Sequence, residues 1–345
     1  MATDAIGMLT SLHAGSVIGT GWPGADVTVA PLGEAGSGFV EATADALGAE
    51  VTRGMLAEQM MLLARADGVT VLGVEAASSV PRTGIPFEAS SADLGRAIAD
   101  ALEDDRPRRL VVDLVGPDVH DGGAGLLGAL GATADVPLDR GVAGLFGLTR
   151  LDLTAVRAAL AGVDLVGAVP TDQVDRPLLG LRGITSARRG ADIDPALLLA
   201  TDQTLASLAR LAGLDHADVP GGGACGGLGL AVLALGGRLV SGPGYGLESA
   251  GRSAADLVVT GCTTFDFARR GGGVVATAAH VANQHLAPCI ALAAEVLVGA
   301  RELRTMGIES AYAVRSTVNH SPAVGDVTEA ELLALAQRVG RSWRW

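Results

Sequence analysis

Short apolar runs alternate with stretches of helical spacing along most of this chain, and that alternation limits the folds open to it. "VTVLGV" (69–74) is followed by the amphipathic "SADLGRAIADALED" (91–104), then by "RLVVDLV" (109–115) and a small-residue helix from 121. Strands this uniformly apolar are buried on both faces, the condition of a parallel sheet with helices on each side. The chain opens with the same rhythm: a helix over 9–21, a strand "DVTVAPL" (26–32) and a helix over 38–48. It closes with strand "ADLVVTG" (255–261), a helix over 274–284, strand "CIALAAEV" (289–296), a helix over 298–306, strand "SAYAVRS" (310–316) and a helix over 328–339. The expected class is α/β, and the last third reads as a doubly wound sheet.

The middle reads differently. A helix over 151–162 and a strand over 163–170 lead into a Pro/Gly/Arg loop over 171–192, then a long helix over 195–213. A loop of about 20 residues inside a compact domain is more often functional than idle. With 345 residues the chain exceeds one ordinary core, so two domains are expected. Their boundaries are placed at 66–70 and 240–254, giving a discontinuous domain of 1–68 with 251–345 and a second domain of 69–250.

The formal charge is −13, and all 25 basic residues are Arg. That balance disfavours a phosphate-tracking surface and predicts no nucleic acid partner. No run reaches the roughly 20 apolar residues of a membrane span, and no charged-then-apolar leader opens the chain, so a soluble protein is expected. Cys225, Cys262 and Cys289 lie far apart without metal-type spacing. Reduced thiols and a cytoplasmic address follow.

Three segments carry candidate chemistry. In "LVVDLVGPDVHDGGAGLLGAL" (110–130) a strand gives way to a helix through Asp118, His120, Asp121, Gly122 and Gly123. Free N–H groups at such a helix start suit an anion, and Asp121 could hold a metal or take a proton. The competing role is an N-cap, in which Asp121 or His120 satisfies the orphan donors. "GGGACGGLG" (221–229) has dinucleotide-type spacing at Gly221, Gly223 and Gly226, but no strand precedes it. That leaves close backbone packing or a phosphate approach.

The strand ending at 261 delivers "GCTTFDFARRGGG", placing Thr263, Thr264, Asp266, Arg269 and Arg270 at a carboxyl edge, where open α/β sheets bind ligands. Cys262 is either a nucleophile, and so the centre of a thiol enzyme, or a small buried thiol; no His or Asp partner is readable beside it. His280 and His285 are read as structural. GxxxxGK[ST], HExxH and GxSxG are all absent, which excludes P-loop kinases, zincins and α/β-hydrolases.

"VGPDVHDGGAGLLGALG" resembles the glycerate kinase segment GGSATNDGGAGML-ALG, and "GGGACGGLGLAVLALGGRLVSG" is similar to that family's glycine-rich GAGAAGGLG segment. "VAPLGEAGSGFVEA" (29–42), "VDRPLLGLRGIT" and "ADLVVTGCTTFD" resemble its PMADGGEGTVDA, VDNPLLGPNGAS and ADLVITGEGRLD. The order and spacing agree across nearly the whole chain. The resemblance implies a flavodoxin-like doubly wound domain and a restriction-enzyme-like α/β domain, with ATP and glycerate meeting in the cleft between them. It implies phosphoryl transfer from MgATP to a glycerate hydroxyl, with Asp121 and Asp266 as the aspartates retained and Asp121 a candidate Mg²⁺ ligand. An oligomer is compatible with it.

The chain departs from the family pattern at several positions. The opening strand is missing, so the chain begins at the motif DSFKGSLSA as "TDAIGMLTS", with Ile6 at the Lys position. Glu34 stands for Asp and Ser37 for Glu, while Pro117, Asp118, Val119 and His120 replace Ser, Ala, Thr and Asn. Gln173 and Arg176 replace Asp and Asn, and Arg189 stands where Lys is expected. Cys262, Thr263 and Thr264 replace the Glu, Gly and Arg of GEGR, and Gly272 and Gly273 occupy a GK pair. A phosphate clamp must then come from Arg188, Arg189, Arg269 and Arg270, with His120, Gly122, Gly123 and Glu34 toward the substrate and Gly221, Gly223, Gly226, Thr263 and Thr264 toward the nucleotide. Arg is no drop-in for Lys. The alternative expectation is a catalytically inactive descendant that binds a small anion or a protein partner.

Overall fold

The computed structural model of the chain describes residues 1–56, 59–75, 87–188, 194–214, 219–251, 255–315 and 327–343. The chain opens with β1 (Ala2–Thr3), α1 (Ser11–Gly19), β2 (Ala30–Pro31) and α2 (Phe39–Leu47). It continues through β3 (Thr52–Leu56), β4 (Gln59–Ala66), β5 (Val69–Val74), α3 (Ala92–Asp104), β6 (Arg109–Asp113), α4 (Ala124–Ala129), β7 (Thr133–Ala134) and β8 (Leu151–Asp152). Next come α5 (Thr154–Ala159), β9 (Asp164–Val169), α6 (Pro195–Leu211), α7 (Leu228–Ala234) and β10 (Arg238–Ser241). The last elements are α8 (Gly242–Ala250), β11 (Val258–Phe265), α9 (Gly272–Gln284), β12 (Cys289–Val296), α10 (Ala300–Thr305), β13 (Ser310–Ala313) and α11 (Glu329–Ser342).

Packing divides the chain into two units, Met1–Ala49 with Gly242–Trp345, and Glu50–Ser241. The first limit differs from the one read in the sequence at 66–70, and the second falls within 240–254. The cause is a pair of strands the sequence reading passed over: β3 pairs antiparallel with β4, and β4 antiparallel with β5, so residues 52–66 extend the second unit's sheet. At the other limit α8 packs against α2 and β2 of the first unit.

The first unit is a five-stranded, wholly parallel sheet of order β13-β12-β11-β1-β2. Numbered by their order within the unit, the strands run 2-1-3-4-5, the flavodoxin-like doubly wound order. Along β12, Cys289, Ala291 and Ala293 pack into one core and Ile290, Leu292 and Ala294 into another, so the strand is apolar on both faces. Residues of α9 and α10 fill the first core; residues of α1 and α11 fill the second. The opening strand expected to be missing is present in short form. β1 is two residues long and lies between β11 and β2, pairing Ala2 with Thr260 and Ala30.

The second unit holds a six-stranded mixed sheet of order β10-β9-β6-β5-β4-β3, parallel from β5 to β10. One large core of Leu, Val and Ala from β5, β6, β9 and the helices α3, α4, α6 and α7 supports it. No helix among the described residues is long and apolar enough to cross a membrane.

Candidate functional site

In the first unit the winding reverses between β1 and β11: the chain passes from β1 to β2 on one side, and from β11 to β12 and β13 on the other. Ligands of open α/β sheets bind beyond the carboxyl ends of the strands at such a reversal. The loop after β1 carries Asp4, the loop after β2 carries Glu34, and β11 ends in Thr263, Thr264 and Phe265 followed by Asp266. Thr263 ties the first and third of these together. Its Oγ1 accepts from the Gly7 N–H at 3.0 Å and donates to the Ala5 carbonyl at 3.2 Å.

Asp4 is half-buried, and its Oδ1 accepts from the Ala5 N–H at 2.8 Å. Burial, and behind it the negative charge of Glu34, push its carboxyl up to about 6. The sequence reading did not single it out, although it lay within the quoted "TDAIGMLTS"; a carboxylate closing the first strand of a doubly wound sheet was the available signal. Asp266 shapes the turn that follows β11, its Oδ1 accepting from the Arg269 N–H at 2.6 Å and its carbonyl from the Arg270 N–H at 2.9 Å. The turn leaves Arg269 and Arg270 exposed, with the Arg270 guanidinium 5.7 Å from the centre of the Phe267 ring. Thr264, paired across to Glu295, alternates to the opposite face of the strand from Thr263.

Cys262 belongs to the core beside this edge. Burial, reinforced by the charges of Asp4 and Asp266, pushes its thiol up to about 12. A thiol held protonated is no nucleophile at neutral pH, which removes the thiol-enzyme reading.

The second unit treats its motif residues differently. Asp121 is fully buried, and its carboxylate accepts from Ser91 N and Ser91 Oγ, both at 2.8 Å, from Gly123 N at 2.9 Å and from Gly125 N at 3.1 Å. Ser91 Oγ in turn accepts from the Leu126 N–H at 2.9 Å. Three of these donors converge on Oδ2 and one on Oδ1. Burial raises the Asp121 pKa while these hydrogen bonds oppose it. The arrangement is that of an N-cap: the carboxylate accepts from N–H groups where α3 and α4 begin.

The glycines around it are packing positions. Gly122 N donates to Gly226 O at 3.3 Å, tying the two glycine-rich segments to each other. A Cβ on Gly226 would sit 1.9 Å from the Val119 carbonyl oxygen, and one on Gly223 would sit 2.0 Å from that of Pro177. A Cβ on Gly123 would meet Ala231 Cβ at 2.4 Å, and one on Gly221 would meet Leu239 Cδ1 at 2.5 Å. The close approach at Gly221, Gly223 and Gly226 is to the unit's own backbone and side chains. His120 is buried, with its ring Nε2 3.4 Å from Thr185 Oγ1. The backbone of Arg188 ends the 3-10 turn Thr185–Arg188, and Arg189 lies outside the described residues.

Residues 4–344 match the glycerate kinase family. The chain is 32% identical to an uncharacterized protein of Mycobacterium bovis, covering 91% of this chain and 83% of the relative. It is 30% identical to a glycerate 2-kinase of Escherichia coli K12, covering 86% and 84%, and 28% identical to a glycerate kinase of Bacillus subtilis, covering 89% and 87%. A solved structure described as glycerate kinase 2 of Salmonella typhimurium LT2 superposes with a TM-score of 0.76 at 24% identity, over 97% of this chain and 94% of that one.

Proposed function

Because the chain belongs to the glycerate kinase family, we propose that it transfers the terminal phosphoryl group of MgATP to a hydroxyl of D-glycerate, with the carboxyl edge of the first unit supplying the chemistry. The observation that carries this reading is Asp4, a half-buried carboxylate at the winding reversal with its pKa held near 6. A general base works best when its pKa lies close to the operating pH, because it is then ionised and still basic. As the glycerate hydroxyl oxygen bonds to the γ-phosphorus and the bond to the ADP oxygen breaks, the hydroxyl proton passes to the Asp4 carboxylate.

The phosphate oxygens face Arg269 and Arg270, held at the edge by the Asp266 turn. Guanidinium groups pair with phosphate oxygens in a planar, two-pronged geometry, and this chain has no Lys for the task. The residues also fit magnesium. Among the described residues no cluster of three or more His, Cys, Asp or Glu could hold a metal ion alone, and Mg²⁺ is usually held by one or two carboxylates with substrate phosphates and waters. Glu34 and Asp266 would hold it, and when bound it neutralises charge on the transferring group.

Coupled ADP release from the purified chain with MgATP and D-glycerate tests the reading. Glycerate-dependent release at about 1–100 per second is the expected result. A folded chain that binds MgATP yet releases no ADP when glycerate is added would overturn it, leaving the binding protein that the substituted motif positions otherwise suggest.

A further inference from the structure

The loop that joins β1 to α1 carries Asp4 and is fastened along its length. At its start the Asp4 N–H donates to the Gly261 carbonyl of β11 at 3.0 Å, and across its ends Thr3 Oγ1 donates to the Ser11 carbonyl at 3.1 Å. Between these points Ile6 and Leu9 exchange two backbone hydrogen bonds of 3.1 Å, with Gly7 in left-handed backbone at φ 59°. The Ile6 side chain is fully buried in the core shared with α1 and α11. The Thr263 hydroxyl spans this turn, accepting from the Gly7 N–H at 3.0 Å and donating to the Ala5 carbonyl at 3.2 Å, one residue on either side of Ile6. Its single hydrogen and one of its two lone pairs are thereby used.

Other threonine hydroxyls of the chain bond locally: Thr20 to the Val17 carbonyl, Thr201 to that of Leu197 and Thr204 to that of Ala200. Such back-bonding satisfies a hydroxyl within its own helix. Thr263 instead reaches residues 256 and 258 positions away. A branched side chain is stiff at χ1, so the two bonds fix the turn at little cost in side-chain entropy. The resembling motif has Gly at the position of Thr263 and Lys at that of Ile6. Glycine has no side chain to bond with, so this fastening belongs to the residues particular to this chain.

We propose that Thr263 is a positioning residue: its hydroxyl holds the turn that presents the Asp4 carboxylate to the reacting groups, and is not a ligand of the nucleotide. The inference rests on the reading of Asp4 as the base of the kinase reaction. The experiment compares wild type with Thr263→Val, which keeps the branched shape without the hydroxyl, with Thr263→Ala as a second hydroxyl-free variant, and with Thr263→Ser, which keeps the hydroxyl. Thermal melts first establish which variants fold. The readouts are kcat, KM for D-glycerate and for MgATP, and amide hydrogen exchange at Gly7. A catalytic group displaced by about 1 Å can cost about 100-fold, so Thr263→Val should lose about 10- to 100-fold in kcat with both KM values within about twofold. The Gly7 amide, without its acceptor, should exchange about tenfold faster or more. Thr263→Ser should restore both kcat and Gly7 protection most of the way to wild type.

A kcat that holds in the folded hydroxyl-free variants would overturn the inference while leaving the kinase reading intact, and so would a MgATP KM that rises while kcat holds. A Thr263→Ser variant as impaired as Thr263→Val would overturn it too. If wild type itself shows no turnover, the kinase reading fails and the Gly7 amide decides the hold of Thr263 on the turn separately. Faster exchange in Thr263→Val that Thr263→Ser reverses sustains that hold; exchange unchanged from wild type refutes it.

Discussion

The carboxyl edge of the first unit and the glycine-rich edge of the second each carry a carboxylate, yet hold it in opposite ways. Asp4 is half-buried with one hydrogen bond from a neighbouring N–H, and faces the charge of Glu34. Asp121 is sealed and accepts four hydrogen bonds. A carboxylate met by four donors in the interior stabilises a fold, whereas one kept short of partners and near a like charge is poised to change its protonation. Keeping a motif letter therefore says little about chemistry until its hydrogen bonds are counted.

The largest effect that would break this contrast is at the interlock of the two glycine segments. Gly226→Ala brings a Cβ to 1.9 Å of the Val119 carbonyl at a φ of +69°, which should cost on the order of 4 kcal/mol or more. Thermal or urea melts should show the second unit lost, and a variant that melts like wild type would mean the interlock is soft. Asp121→Asn should follow, turning one of the acceptors facing buried N–H groups into a donor. That leaves donors unsatisfied, and the melting temperature should drop by about 5–10 °C.

Asp4→Asn should act in the opposite sense on stability. The folded chain holds this carboxyl at about 6 against an ordinary 3.8, so it binds a proton that the unfolded chain has released. Its contribution to stability is complete below about pH 4 and is lost as pH rises through about 6. The variant escapes that loss, so at pH 7 it should be more stable than wild type by about 1–2 kcal/mol, measured by denaturant titration. The smallest effect belongs to Glu34→Gln. In the magnesium-free chain, removing that charge lowers the Asp4 pKa, and the titration of Asp4 followed by NMR should move down by a few tenths of a unit. A shift upward would show that Glu34 does not act on Asp4 through its charge.

Much of the scaffold was legible in the sequence because burial on both faces leaves a plain signature. β5 and β12 were read to the residue, and α3, α6, α9 and α11 to within a few residues. Three features escaped it for physical reasons. β1 is two residues long and owes its existence to pairing with β11 and β2, which no local pattern records. β3 and β4 are partly exposed along their length, so neither continuous apolarity nor alternation marked them.

The third is the fate of Asp121, set by Ser91 thirty positions earlier in the chain, a tertiary contact invisible to motif reading. Asp4 was hidden by the opposite error: once the first strand was taken as absent, its terminal carboxylate had no edge to sit on. In the glycine segment the missing strand before "GGGACGGLG" pointed to packing, and an added Cβ at Gly223 or Gly226 would meet the unit's own backbone.

The contrast between the two carboxylates is tested most directly by turnover of Asp4→Asn and Asp121→Asn side by side, with D-glycerate and MgATP at pH 8, each normalised to its folded fraction. The account predicts that Asp4→Asn loses about 100-fold or more in kcat, the usual weight of a general base, while Asp121→Asn stays within about twofold of wild type. Loss of turnover in folded Asp121→Asn together with full activity in Asp4→Asn would contradict it, and would move the chemistry to the second unit.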